Sequence, residues 1–180
     1  MRKYYLPIFT VNQLSLSSTI TVVTTDAEDA IQFDDLAALN AKASEEFGPW
    51  GPEVVVSQAL INQFADMTDD HQWIHVDVER AQNESPFGVP IAHGFLTLSL
   101  LPRLAVSPIR VRGHKSGTNC GAEKLRFSSP VPAGSNIQAR SRLCRAERHR
   151  HGTLITAEVE IGVVGTEKPA VIYRMQYLYS

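Results

Sequence analysis

Between residues 157 and 179, apolar and polar positions alternate with a period of two. Ala157, Val159, Ile161 and Val163 are separated by Glu158, Glu160 and Gly162, and Val171, Tyr173, Met175, Tyr177 and Tyr179 are interleaved with Arg174 and Gln176. Successive side chains of a strand point to opposite faces, so this alternation predicts two strands with one buried face each. Gly165-Thr-Glu-Lys-Pro169 predicts the hairpin between them, and His149-Arg-His-Gly152 turns a preceding pair. Upstream the period changes. Leu36, Leu39 and Ala43 share one face of a predicted helix over Phe33–Phe47, started by Asp34 or Asp35, ended by Gly48 as a C-cap and blocked by Pro49. Ser57 caps a second helix from Gln58 to about Met67, with Leu60, Ile61, Phe64 and Ala65 on one face. Asp69-Asp70 ends it, and a loop carrying His75 follows. Asp77 is placed to cap a short helix from Val78 to about Gln82, and Ser85 to Pro90 reads as loop. From Gly94 to about Leu101 nearly every residue is apolar or small, the pattern of a helix buried on all sides, which Pro102 kinks or shortens. Helices followed by a long antiparallel sheet predict an α+β fold in which the sheet wraps the buried helix.

A chain of 180 residues, 43% hydrophobic and 20% charged, is long enough for one domain with a real core and short for two. Residues 1–33 are set apart as an N-terminal extension of unknown role, with strand character in Thr19-Ile-Thr-Val-Val-Thr-Thr25. The formal charge of −2 gives no argument for a nucleic-acid or membrane partner. Charge is uneven, however: Asp26 to Glu84 holds 14 acidic and 2 basic residues, and Arg103 to Arg150 holds 11 basic and 2 acidic. The basic half is either a solvated strand face or a surface for ligand phosphates, with Arg103 and Arg126 as candidates. Cys120 and Cys144 are too few for a disulfide framework. No run reaches the roughly 18 apolar residues of a membrane span. The short apolar run after Arg2-Lys3 contains Pro7 and is too short for a signal-peptide core, so cytoplasm is expected.

The chemistry concentrates in Asp66-Met-Thr-Asp-Asp-His-Gln-Trp-Ile-His75 and Pro90-Ile-Ala-His-Gly-Phe95. Asp70 and His75 form a carboxylate–imidazole pair able to polarise one water and move its proton. Gly94 opens a helix whose unpaired N–H groups can hold a carbonyl oxygen gaining negative charge. His93 is expected to order the helix entrance through backbone bonds. Asp69 adds a second carboxylate that could raise the pKa of one of the two if their side chains approach. His71 and His75, four apart, would suit a metal on a helix, but the segment reads as loop and no metal is expected. No nucleophile arrangement is recognisable around Ser107, His114 or Ser116.

Thr68-Asp-Asp-His-Gln-Trp-Ile-His-Val-Asp77 resembles the signature Gly-Asp-x-Asn-Pro-(aliphatic)-His of the MaoC-like, (R)-specific enoyl-CoA hydratases, in the form taken by its NodN-like branch. Ile91 to Pro102, Lys124-Leu-Arg-Phe127 and Pro130-Val-Pro-Ala-Gly-Ser135 extend the resemblance, which covers roughly residues 34–180. It implies a hotdog fold over 34–180, usually paired as a homodimer, and a lyase of fatty acid metabolism acting on acyl-CoA or an acyl-carrier thioester without a cofactor. It also implies Asp70 and His75 as catalytic residues and the Gly94 N–H as donor to the thioester carbonyl. Gln72 stands where the signature has Asn and is expected to orient the loop through its amide. Trp73 replaces the signature Pro, and it and Phe95 are expected either in an acyl tunnel or in the core. Pro102 occupies the position of a serine found in some members, so no catalytic serine is carried over. Thioester hydrolysis on the same fold and a non-catalytic acyl-thioester binding module are the alternative functions.

Overall fold

The computed structural model describes residues 29–104 and 107–180; the strand expected at Thr19–Thr25 lies outside them. In chain order the elements are β1 (Ile31–Gln32), α1 (Leu36–Asn40), β2 (Val54–Val55), α2 (Gln58–Thr68), α3 (Trp73–Val76), α4 (Val78–Glu84) and α5 (Gly94–Ser99). A 3-10 turn at Leu101–Arg103 follows, then β3 (Val111–Arg112), β4 (Gly117–Phe127), β5 (Asn136–His149), β6 (Gly152–Val163) and β7 (Val171–Tyr179). Five strands form an antiparallel sheet in the order β2-β5-β6-β7-β4, and β1 pairs in parallel with β3.

Alternation predicted the sheet well because one face is buried. Val159 and Ile161 point inward and lie opposite Tyr173 and Val171. Leu96, Leu100 and Leu104 cover them from α5 and its extension. Gly152 closes the β5–β6 turn at φ 143°, where any Cβ would meet the Tyr179 carbonyl oxygen at 2.0 Å. The opposite face carries charge. Arg142 stands opposite Glu158, which stands opposite Arg174, and Glu158 bonds both guanidinium groups at 2.9 and 2.7 Å. Arg140 pairs with Glu160 at 2.7 Å, and Arg145 pairs with Glu123. Arg140, Arg142 and Arg145 of the basic half of the sequence are thus held in ion pairs across the sheet.

The helices depart from expectation in three places. The helix expected over Phe33–Phe47 ends at Asn40. Beyond it the chain straps the edge of β5, with Ser44, Gly48 and Gly51 donating backbone N–H groups to Leu143, Ser141 and Ala139. An exposed strand edge needs partners, and this distant pairing overrides local helix propensity. Gly48 is therefore an edge-pairing residue, not a C-cap. The loop expected around His75 contains a single helical turn, α3, of four residues. Finally, α5 has six residues and is not enclosed on all sides within one chain, since Phe95 is 61% exposed. Pro102 falls in the 3-10 turn, as its missing N–H requires.

Candidate active site

Two capped helices, α2 and α4, hold the carboxylate loop at the mouth of α5. Ser57 Oγ accepts the Leu60 N–H at 3.2 Å and starts α2. The helix ends at Asp69, whose left-handed φ of 59° turns the chain sharply. Asp70 follows in the loop. Asp77 caps α4 by accepting the Arg80 N–H at 3.0 Å, which fixes the far end of α3. Between these anchors the Gln72 carbonyl accepts the His75 N–H at 2.9 Å. The Gln72 side chain makes no capping bond to α3.

His75 is 7% exposed and its Nδ1 lies 2.6 Å from the Ile91 carbonyl oxygen. A carbonyl only accepts, so Nδ1 carries the proton and Nε2 of the neutral ring keeps a free lone pair. His93, 4% exposed, donates from Nε2 to the Asp70 carbonyl oxygen at 2.9 Å. The two imidazoles stack at 3.8 Å with 29° between planes. Burial pushes the His75 imidazolium below the ordinary histidine pKa and His93 reinforces this; the Ile91 bond and the Asp70 charge pull the other way. A neutral His75 at pH 7 follows.

One nitrogen or oxygen from each of Asp70, His75 and His93 lies within 4.8 Å of the others. Sequence reasoning placed Asp70 and His75 together and His93 near the entrance; its ring stacks on His75 while binding the Asp70 backbone. His71 is turned away, its Nε2 3.8 Å from Asp66 and 3.9 Å from Asp69. The fully exposed Asp69 side chain faces that histidine. Metal binding by the His71–His75 spacing has no geometric support.

A cleft of about 290 Å³ opens beside this cluster, lined by His75, Ala92, Gly94, Thr97, Phe127 and Val171 among others. Gly94 is the first residue of α5, and a Cβ there would come within 2.8 Å of the Phe127 ring. Glycine leaves room for the ring and lets a ligand approach the backbone. Trp73 and Phe95 do not line the cleft. Arg80 stacks on Trp73 at 4.4 Å, and Phe95 meets Phe127 edge to face.

Three contributors escaped the sequence reading. The Ile91 carbonyl sets the His75 tautomer, and Gln58 Nε2 donates to the His75 carbonyl at 2.8 Å. Phe127 forms a cleft wall. Only Phe127 had a signal, its place in Lys124-Leu-Arg-Phe127; a backbone carbonyl leaves no mark in sequence.

A curved antiparallel sheet over a short helix, with a histidine–carboxylate cluster at the helix mouth, defines a hotdog-fold protein. Among solved structures it is similar to the (R)-hydratase from A. caviae involved in PHA biosynthesis, with a TM-score of 0.61, 24% identity, and 76% of this chain and 98% of that one covered. The monoamine oxidase regulatory protein from Archaeoglobus aligns with a TM-score of 0.61 and 20% identity over 84% of this chain and 98% of its own. The sequence model of the MaoC like domain matches residues 45–164. The 3-hydroxyacyl-thioester dehydratase Z of Mycobacterium tuberculosis is 46% identical over 143 residues, 78% of this chain and 92% of the relative. Nodulation protein N of Rhizobium meliloti is 45% identical over 120 residues, 66% of this chain and 74% of the relative. The chain belongs to the MaoC-like family.

Proposed function

We propose that this protein is a hydro-lyase: it adds water across the 2,3 double bond of an enoyl thioester with (R) specificity, or removes it from a 3-hydroxyacyl thioester. The observation that carries this reading is the 2.6 Å bond from His75 Nδ1–H to the Ile91 carbonyl. It leaves a neutral ring with a basic Nε2 on a residue that lines the cleft beside Gly94. The dehydratase named among the 46% identical relatives supports the same reaction class.

The thioester carbonyl accepts a hydrogen bond from the Gly94 N–H, which draws electrons from the double bond and opens C3 to attack. Asp70 and His75 each accept a hydrogen bond from one water. Its oxygen bonds to C3, one of its protons passes to the pair, and the electron pair of the double bond moves toward the carbonyl. The proton then returns to C2, so the hydroxyl ends on C3 and the charge on the oxygen collapses. His93 holds the carboxylate loop through the Asp70 backbone. No cofactor enters this scheme.

The substrate class is an acyl-CoA or acyl-carrier thioester, the working unit a homodimer, and the compartment the cytoplasm. The hotdog domain spans residues 34–180, and residues 1–33 precede it as an extension whose Ile31–Gln32 pairs with β3. Crotonyl-CoA assayed at the enoyl-thioester absorbance, with free thiol titrated in parallel, tests the reaction. Loss of absorbance without thiol is the expected result. Thiol release means thioester hydrolysis, and binding without either signal means an acyl-thioester binding module.

A further inference from the structure

The hydration chemistry gives no task to Phe127, yet this ring packs directly against the proposed carbonyl donor. Phe127 ends β4 and stands opposite Val171 of β7, and both side chains reach the cleft. Its ring takes the space that a Cβ on residue 94 would fill, with ring carbons 2.8 to 2.9 Å from that position. Phe95 steadies it edge to face at 5.3 Å and 68°. It stays 46% exposed, so it is not locked into the core. Ala92, Thr97, Ala170 and Val171 on the surrounding walls are small or β-branched. The cleft, at about 290 Å³, lies at the lower end of small-molecule sites.

We propose that Phe127 is a specificity-determining residue that limits the length of acyl chain the cleft accepts. The proposal rests on the hydration reading, because a carbonyl held at the Gly94 N–H lies next to the ring. A short chain fits between ring and wall. A longer one meets the ring and must displace it from its seat on Gly94 and Phe95. Removing the ring opens the cleft where Gly94 offers no side chain to refill it. One methylene in an apolar pocket is typically worth about 10- to 200-fold in kcat/KM, so a change of several carbons in the accepted chain is easily read.

The experiment compares kcat/KM for crotonyl-, 2-octenoyl- and 2-dodecenoyl-CoA in wild type, Phe127→Ala and Phe127→Leu, with circular dichroism melts confirming that each is folded. The 12-carbon to 4-carbon ratio is expected to rise at least tenfold in Phe127→Ala and by less in Phe127→Leu. A uniform loss across all three lengths assigns Phe127 to packing or to the thiol arm and overturns the proposal, as does an unchanged ratio. If wild type turns over none of them, the hydration reading fails separately. Calorimetric binding of butyryl- and lauroyl-CoA then decides: a preference moving toward lauroyl-CoA in Phe127→Ala upholds the chain-length role, and an unmoved preference or no binding overturns it.

Discussion

At the scale of single residues, the site depends on a histidine kept neutral in a dry place. The folded-state pKa of His75 is lowered chiefly by burial. The unfolded chain therefore binds a proton more readily than the folded one, and the linked stability is present above the ordinary histidine pKa of 6.5 and lost as pH falls through the folded value. Melting temperature is expected to fall on acidification from pH 7 toward pH 5, and His75→Gln should flatten that part of the curve. Differential scanning fluorimetry across this range checks it; a mutant with the wild-type slope would assign the acid sensitivity to other groups. Gly94 gives a second residue-level expectation. Gly94→Ala drives a methyl group into the Phe127 ring, and overpacking of this kind costs about 1–3 kcal/mol. Phe127→Ala in the same chain should recover much of that loss in denaturant unfolding, because the colliding ring is gone. No recovery would show that residue 94 is constrained by its backbone instead.

At the scale of elements, Glu158 of β6 ties three strands together from the polar face of the sheet. It is 6% exposed and bonds both Arg142 of β5 and Arg174 of β7. Breaking a buried pair leaves charge without its partner and typically costs about 3–5 kcal/mol. Glu158→Gln keeps the shape and takes the carboxylate from Arg174, while Arg142 keeps its ion pair with Glu45, so a loss near the lower figure is expected in urea unfolding; a change under about 0.5 kcal/mol would contradict this coupling. The alternation that revealed β6 and β7 also carries these charges, which is why those strands were legible. Helix α2 was legible for a different reason, since Ser57 and the Ile61–Ala65 face act locally. The strap over residues 44–51 was not, because its partners on β5 lie about ninety residues away in sequence. A four-residue turn such as α3 is too short to show a period, and β4 breaks its alternation at two register shifts. The Asp70–His75 pair was legible from its motif. The Ile91 carbonyl that sets the histidine tautomer was not.

At the scale of the whole molecule, the sheet ends in a long strand. β4 has eleven residues and, among the described residues, is bonded on one side only, to β7. The strap over β5 covers the other end of the sheet, which leaves β4 as the edge that invites pairing. Phe95, exposed on α5 beside it, adds apolar surface of the kind an interface buries. A two-fold pairing of chains would close both. Light scattering at micromolar concentration is expected to give twice the chain mass of 19.9 kDa. A monomer there would contradict the homodimer.

The central claim is that Asp70 and His75 act together on one water, and a double-mutant comparison of crotonyl-CoA hydration tests it most directly. Asp70→Asn keeps size and hydrogen bonding without the charge, and His75→Gln keeps a polar group without the basic nitrogen. General acid–base groups contribute about 100- to 10,000-fold each, and residues that act as a unit are strongly non-additive. Each folded single mutant is expected to lose at least 100-fold in kcat, with the double mutant scarcely worse. Turnover near wild type in either folded single mutant, or losses that multiply in the double mutant, would contradict the shared-water assignment.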